Sequence, residues 1–228
     1  MAKNIWKKQP IYVGVVSTKK GLSLIAAQQP AADLIELRFD TLYAANTDAL
    51  DLALKVLPKR KNPVLLTLRT KSEGGSVSWK STERLRLFEK LIPYVDAVDF
   101  ELANLPLMKS ALTLARQLDK KVILSAHSTT HKITYKSGLQ WLDEFRHVRA
   151  EIYKISSLAR TQSDLHILAK LLINHAKLRL AVMATGPMSV ISRQALPLLG
   201  SRLVYGYLDV PSAKKQPSIQ EIRNLMAQ

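Results

Sequence analysis

The 228-residue sequence contains no cysteine, which excludes disulfides, thiolate metal ligands and a cysteine nucleophile. It has no apolar run near the length of a membrane span, and its start, MAKNIWKKQPIYVGVV, lacks the pattern of a signal peptide. The one apolar stretch in that region, IYVGVV, is short and follows a proline. We therefore expect a cytoplasmic protein that makes no use of a membrane.

Acidic residues are few: 18 Asp and Glu stand against 34 Lys and Arg, a formal net charge of +16. Such an excess suits nucleic acid, an anionic membrane or a small acidic substrate. The basic residues are scattered in short groups such as KNIWKK, PKRKN and SAKK, and aromatic residues make up only 6%, which leaves few platforms for base stacking. We expect no nucleic-acid partner, and a solvated basic surface is the simplest alternative.

Apolar, strand-like runs alternate with segments of helical periodicity along the chain. Each pair takes about 25–30 residues, the size of a βα unit. No GxGxxG or P-loop pattern marks an open, doubly wound sheet. The repeat predicts one α/β domain over residues 1–228, a (β/α)8 TIM barrel. Its strands are predicted at 11–17, 34–39, 64–69, 97–103, 122–127, 152–158, 180–185 and 203–208.

The stretch DLIELRFD alternates between charged and apolar residues, as an extended strand with one polar face does. Both faces of a parallel strand are covered, so buried charges there need a reason. A barrel supplies one, because the carboxyl ends of its strands converge on one mouth where barrel enzymes carry their chemistry. The polar face of DLIELRFD is predicted to hold Glu36, Arg38 and Asp40, and later strands add Arg69, Asp99, Glu101, His127 and Lys154.

Lys154, in EIYKISS, is the most informative of these residues. Desolvation and nearby cations such as Arg38 and Arg69 would favour a neutral amine, which can attack a carbonyl and form a Schiff base. The alternative is a strand-end lysine that extends to water. The same choice holds for His127, which is either a general acid/base or a structural histidine.

The remaining candidates are weaker as single residues. Glu36, Arg38 and Arg69 form either a binding site or a structural ion-pair cluster. Arg193 and Gln216 follow the seventh and eighth strands, where loops of barrels often hold an anion. No spacing of the other histidines resembles a metal site, so we expect neither metal nor cofactor.

Taken in order, these residues resemble the type I 3-dehydroquinate dehydratases, the Schiff-base class of that shikimate-pathway enzyme. The resemblance runs from about residue 11 to the C-terminus. It is carried by IELRFD, by LLTLRTKSEGG with its Arg and Glu four residues apart, by VDFEL, LSAH, IYKIS and ISR, and by Ser212 and Gln216 near the end. Several motifs in order are more specific than any one of them.

The resemblance implies a (β/α)8 barrel that converts 3-dehydroquinate to 3-dehydroshikimate and water. Lys154 would form an iminium with the substrate ketone, and His127 would take the adjacent proton and later protonate the departing hydroxyl. Glu73 or Glu101 would tune or orient these groups. Arg193 would hold the substrate carboxylate. Glu36, Arg38 and Arg69 would bind its hydroxyls, and Ser212 and Gln216 would close over it.

The family resemblance also implies a homodimer. The sequence departs from the family pattern in three places. Ser128 and Thr129 stand where Asp and Phe usually follow the histidine, Lys214 and Lys215 stand where the closing loop usually has Pro-Gly, and MATGPMSVISR is longer than usual. The chain is also short enough to lack the N-terminal hairpin that closes the barrel bottom. We expect an active enzyme whose rate differs from the family's.

Two other interpretations remain open. Another Schiff-base barrel enzyme, such as a class I aldolase, would need the same lysine but not the Glu-x-Arg and Glu-Gly-Gly motifs. A relative that only binds, or a basic protein that meets nucleic acid, would have no need of the Lys154 amine.

Overall fold

The computed structural model describes residues 5–211 and 216–227. Within these ranges the chain forms eight strands that all run parallel in one sheet. Their order in the sequence matches the predicted repeat, and the (β/α)8 barrel is confirmed. The strands are β1 (Ile11–Val16), β2 (Leu34–Arg38), β3 (Val64–Thr67), β4 (Ala97–Glu101), β5 (Lys121–Ser128), β6 (Ile152–Leu158), β7 (Leu180–Thr185) and β8 (Leu203–Tyr207).

Helices follow the strands and cover the outside of the barrel. Capping boxes at Thr134, Thr161 and Ser218 fix three of their starts. In the part of the chain that is described, no helix has both the length and the apolar character needed to cross a bilayer. The helices are α1 (Leu22–Ile25), α2 (Phe39–Ala45), α3 (Ala49–Val56), α4 (Ser81–Leu91), α5 (Lys109–Gln117), α6 (Tyr135–Arg146), α7 (Gln162–Asn174), α8 (Ser189–Leu198) and α9 (Ile219–Met226).

The barrel has a seam between β7 and β8. The sheet order runs from β7 through β6 to β1 and then β8, so β8 forms its ladder with β1. The residues before β8 bridge the gap to β7. The Ser201 hydroxyl accepts a hydrogen bond from the Val182 amide at 2.9 Å and donates to the Val182 carbonyl at 3.1 Å. The Arg202 amide donates to the Leu180 carbonyl at 2.8 Å. A side chain thus replaces part of a strand ladder.

Inward-facing side chains fill the barrel in layers. A lower layer is apolar and includes Leu34, Leu65, Ala97, Ile123, Ile152 and Ala181. Two residues further along several strands, the buried side chains become polar: Glu36, Thr67, Asp99, Ser125 and Lys154. The strand register sets Thr67 beside Asp99 and Ser125 beside Lys154. The polar layer therefore lies towards the carboxyl ends, as a barrel mouth requires.

The N-terminal end of the barrel is closed by a short 3-10 turn, Ile5–Lys7. Ile5 is buried against the apolar layer and Trp6 packs beside it. The Trp6 carbonyl accepts hydrogen bonds from the guanidinium groups of Arg179 and Arg202. A single turn within the described residues thus covers the barrel bottom.

Six of the eight strands differ from their predicted ranges by one or two residues at an end, and β2 and β3 differ where the site begins. Asp40 was predicted to lie on the polar face of strand β2, but β2 ends at Arg38 and Asp40 lies in α2. Strand β3 ends at Thr67 and not at Arg69, because the Arg69 amide donates to Asp40 Oδ1 at 3.2 Å instead of joining the sheet. The Asp40 carboxylate, in α2, thus takes the place of a strand partner for the Arg69 amide.

Candidate active site

A cavity of about 400 Å³ opens at the carboxyl ends of the strands. It brings together most of the predicted site residues. Those lining it are Glu36, Arg38, Arg69, Glu73, His127, Lys154, Arg193 and Gln216. The predicted Ser212 lies outside the described residues, as do Lys214 and Lys215 of the closing loop.

Lys154 projects from the middle of β6 into this cavity and is only 4% exposed. Its Nζ lies 3.1 Å from Asp99 Oδ2 and 3.8 Å from Glu36 Oε1. The ring of Tyr205 lies beneath it, with the ring centroid 4.5 Å from Nζ. The nearest charged groups are therefore carboxylates and not the arginines that the sequence interpretation placed beside the amine.

Asp99 is the shared partner of the two buried cations. Its Oδ2 accepts from Arg69 Nη2 at 2.9 Å and from Lys154 Nζ at 3.1 Å, and its Oδ1 accepts from the Ser125 hydroxyl. Although burial opposes its ionisation, the charges of Arg69 and Lys154 hold the pKa of Asp99 well below the ordinary value. Asp99 is thus a fixed anion that holds the Lys154 amine in place.

His127, on β5, is paired with Glu73 from the loop after β3. The distance from Nδ1 to Glu73 Oε2 is 2.8 Å. Burial, and then the charges of Arg69 and Lys154, lower the pKa of His127 well below its ordinary value. Burial and the charge of Glu101 raise the pKa of Glu73 to about 8. The pair therefore shares one proton near neutral pH instead of forming an ion pair.

Arg38 and Arg69 are held in different ways. Arg38 donates through Nε and Nη2 to the Asp40 carboxylate, at 3.1 and 3.0 Å. Arg69 donates to Asp99 and to the Ser125 hydroxyl, and its Nη1 lies 3.8 Å from Glu73 Oε2. Both line the cavity while forming ion pairs, so the binding and structural interpretations of these arginines are compatible.

Arg193 lies in α8 and not in a loop, which corrects the predicted location. The stretch MATGPMSVISR forms the end of β7, a turn at Gly186–Met188 and the first part of α8. The Arg193 guanidinium donates to the carbonyls of Tyr205 and Ser189, both at 2.8 Å. No carboxylate of the described residues lies within 4 Å of it. Burial without a counter-ion lowers the pKa of Arg193 to about 10.

Glu101 does not line the cavity. It lies behind Arg69, where its carboxylate accepts hydrogen bonds from Arg84, Asn104 and the Thr70 amide. The structure therefore brings seven of the predicted residues around Lys154 and sets Glu101 outside that group.

Two residues were not predicted: Tyr205, which lines the cavity, and Arg84, which lies behind it and pairs with Glu101. Asp99 was predicted at the mouth with Glu101 of the motif VDFEL, without a role of its own. Arg84 occupies the apolar stripe of α4 with Leu87, Phe88 and Leu91, a spacing that marks a buried arginine. Tyr205 is an inward position of β8, which only the strand parity could reveal. Among the described residues, no three His, Asp or Glu side chains are arranged to hold a metal ion.

A buried lysine, a histidine–carboxylate pair and an arginine without a counter-ion, all at the carboxyl ends of the strands, are the arrangement of a (β/α)8 barrel enzyme. The sequence profile of the type I 3-dehydroquinase family matches residues 12–228. The chain belongs to this family, whose members are lyases.

Relatives in sequence and solved structures agree with this assignment. A 3-dehydroquinate dehydratase of Methanoregula boonei is 31% identical over 200 residues, which cover 88% of this chain and 91% of the relative. The structure of 3-dehydroquinate dehydratase from Enterococcus faecalis has a TM-score of 0.82 at 25% identity and covers 98% of this chain and 95% of that one. A type I enzyme from Clostridium difficile has a TM-score of 0.85 at 22% identity, over 97% and 92% of the two chains, and supports the fold alone.

Proposed function

We propose that this protein dehydrates 3-dehydroquinate to 3-dehydroshikimate in the shikimate pathway, through a Schiff base on Lys154. The observation that carries the proposal is the position of Lys154. It is the only described residue of the cavity lining that has an amine, it is nearly inaccessible to water, and Asp99 fixes its direction. Family membership and the names of the relatives supply the substrate.

The Schiff base explains how a weakly acidic C–H bond can be broken. The Lys154 ammonium must first give up its proton, and the neutral amine then attacks the ketone carbon to form a carbinolamine. The proton is returned to the carbinolamine hydroxyl, which leaves as water and gives an iminium. The iminium withdraws electrons from the neighbouring carbon, so that carbon releases a proton more readily. The hydroxyl on the next carbon then departs as water, and hydrolysis of the iminium frees the product. One water is released when the iminium forms and a second when the hydroxyl departs, and one is consumed when the iminium is hydrolysed. The net change is the loss of one water.

His127 is the proton carrier in this proposal. Its lowered pKa keeps the imidazole uncharged at neutral pH, as a proton acceptor requires. When Glu73 is ionised, it accepts a hydrogen bond from the Nδ1–H group and leaves Nε2 as the base. The hydroxyl of Ser128, which replaces the family's usual aspartate, donates to the His131 carbonyl at 2.6 Å. Orientation of the ring therefore falls to Glu73.

Arg193 is suited to hold the substrate carboxylate. A partly buried cation without a counter-ion is stabilised when an anion binds to it, and a guanidinium can bind a carboxylate through two hydrogen bonds. Glu36, Arg38 and Arg69 also line the cavity, and in this proposal they bind the hydroxyls of the substrate. Gln216, which lines the cavity, and Ser212 remain the predicted closing residues.

The test is to mix the protein with 3-dehydroquinate and borohydride and to analyse the intact protein and its peptides by mass spectrometry. We expect one reduced adduct, on the peptide that carries Lys154. Lys154→Ala should abolish both adduct and turnover with an unchanged circular dichroism spectrum. Lys132→Ala is the matched control, because Lys132 is exposed and pairs with Asp164. Normal turnover by Lys154→Ala would exclude the Schiff base on this residue.

The homodimer and the cytoplasmic location stay predictions. Sedimentation equilibrium tests the first, and a mass of about twice 25.5 kDa is expected.

A further inference from the structure

We propose that Arg84 is a positioning residue of the active site, which acts through Glu101 on the segment that carries Arg69 and Glu73. The inference rests on the proposed function for its kinetic consequence, but its geometry and its first test are independent of the substrate.

Arg84 is a buried arginine on a helix, away from the cavity. It lies in α4 and is 2% exposed. Its Nε and Nη2 both donate to the Leu68 carbonyl, at 2.9 and 2.7 Å, and Nη2 also donates to Glu101 Oε2 at 2.8 Å. Burial of a guanidinium lowers the stability of the fold unless its donors are paired. The position of Arg84 therefore points to a role beyond packing.

The partners of Arg84 flank Arg69 on both sides. Leu68 comes directly before Arg69. Thr70 comes directly after it, and its amide donates to Glu101 Oε1 at 2.7 Å. The backbone on either side of Arg69 is thus bound to one ion pair, Arg84–Glu101. Nη1 of Arg69 itself lies 3.5 Å from the same Glu101 oxygen.

The same ion pair supports the turn that carries Glu73. The Thr70 carbonyl accepts hydrogen bonds from the amides of Glu73 at 3.0 Å and of Gly75 at 2.8 Å. At Gly75 a Cβ atom would lie 2.2 Å from the Arg69 carbonyl oxygen, so this turn has no room for a larger residue. Displacement of Thr70 would therefore move Glu73, and with it the hydrogen bond to His127.

Arg84 also acts on Glu73 through charge. The charged and titratable groups that face Glu73 are Glu101, Arg69, Asp99, Arg84 and its hydrogen-bond partner His127. After burial, the charge of Glu101 is the main influence that raises the pKa of Glu73, whereas the charges of Arg69 and Arg84 lower it. The positive charge of Arg84 thus offsets part of the repulsion between Glu101 and Glu73, which allows Glu73 to ionise.

A purely structural role makes a different prediction. If Arg84 only fills the core beside Phe88, its loss lowers stability and leaves the titration of the Glu73–His127 pair unchanged. If it positions and tunes Glu73, neutralising Arg84 moves that titration to higher pH, and neutralising Glu101 moves it to lower pH.

The experiment follows the imidazole resonances of His127 against pH by NMR, without substrate, in the wild type and in Arg84→Gln, Arg84→Lys and Glu101→Gln. We expect shifts on the order of one pH unit, upwards for Arg84→Gln and downwards for Glu101→Gln. We expect little shift for Arg84→Lys, which keeps the charge. Arg86→Gln is the matched control, because Arg86 is exposed on the same helix.

The kinetic arm measures the pH dependence of kcat/KM for 3-dehydroquinate in the same variants. The limb assigned to Glu73 should move in parallel with the NMR titration, and kcat of Arg84→Lys should still fall, because lysine cannot make both bonds to Leu68. Identical titrations in all folded variants would overturn the proposal. If Arg84→Gln does not fold, an unshifted titration in Glu101→Gln would do the same. An inactive wild type with shifted titrations would contradict the proposed function and leave the role of Arg84 standing.

Discussion

Glu73 Oε2 lies 2.8 Å from His127 Nδ1, and the pKa values of the two groups are displaced in opposite directions. Burial favours the uncharged form of both, since it raises the pKa of the carboxyl and lowers that of the imidazole. The consequence is a pair that holds one mobile proton without a net charge. When Glu73 ionises, with a pKa of about 8, His127 becomes a base through Nε2, and no strongly basic side chain is needed.

Glu73 should make stability fall as pH rises from about 4.5, the ordinary pKa of a glutamate, to about 8. Its folded pKa of about 8 lies above the ordinary value, so the folded state holds a proton that the unfolded chain has lost. The loss has an upper limit of about 1.4 kcal/mol per pH unit. Urea unfolding of the wild type and of Glu73→Gln at several pH values measures it. The variant should lack this slope, and parallel slopes would contradict the raised pKa.

Arg193→Ala should raise KM about 10- to 100-fold with a smaller effect on kcat, because a hydrogen-bonded ionic contact contributes about 1.5–3 kcal/mol. Steady-state kinetics with 3-dehydroquinate checks it. The KM of Arg193→Lys should lie between those of the wild type and Arg193→Ala, since lysine keeps the charge but cannot bind a carboxylate through two hydrogen bonds. Arg160→Ala, which removes an exposed arginine elsewhere, should leave KM unchanged. An unchanged KM in Arg193→Ala would remove this residue from carboxylate binding.

Tyr205→Phe should increase the free energy of unfolding by about 1 kcal/mol, because the Tyr205 hydroxyl is buried and has no hydrogen-bond partner among the described residues. Burial raises the pKa of this phenol far above the ordinary value, so no ionised form compensates. Urea denaturation checks the sign. The same substitution at Tyr43, whose hydroxyl donates to Glu83 at 2.6 Å, should destabilise instead. A loss of stability at Tyr205 would mean that an ordered water satisfies the hydroxyl.

Ser201→Ala should cost about 1–3 kcal/mol, since it leaves the amide and carbonyl of Val182 without their bridging hydroxyl inside the barrel wall. Ser201 is fully buried, so water cannot replace it. Thermal and urea unfolding measure the change. Ser23→Ala, which removes an exposed hydroxyl bonded to the Lys20 carbonyl, is the control. If Ser201→Ala and Ser23→Ala lower the free energy of unfolding by the same small amount, the seam does not depend on the Ser201 side chain.

The order of strands and helices could be predicted because each element has a local pattern. Apolar runs of strand length and the three- and four-residue spacing of helices such as α4 and α7 are present in the sequence itself, and the repeat then fixes the barrel. The ends of the strands were harder to predict. Strand β3 stops early because of a hydrogen bond from Arg69 to Asp40, which lies 29 positions away in the chain and leaves no trace in periodicity.

The candidate site shows the same division. Inward parity and strand ends brought Glu36, Lys154 and His127 to one mouth, and the family motif added Glu73 from a loop. The charged groups that surround these residues could not be predicted from the sequence. The position of Asp99 near Lys154 follows from the register between β4, β5 and β6. Arg84 comes from a helix whose other arginine, Arg86, is exposed. The roles of these residues stay predictions until the variants are measured.

The seam between β7 and β8 bears on how the protein is made. Strand β8 pairs with β1, so the first strand to leave the ribosome waits for the last one before its edge is covered. Until then the nascent chain has an open parallel sheet with an exposed edge, the kind of intermediate that chaperones protect from aggregation. Tyr205 arrives on that final strand, beneath the Lys154 amine. The floor of the catalytic cavity is therefore among the last parts of the enzyme to be synthesised, and a truncated chain that lacks β8 would have neither a closed barrel nor a complete site.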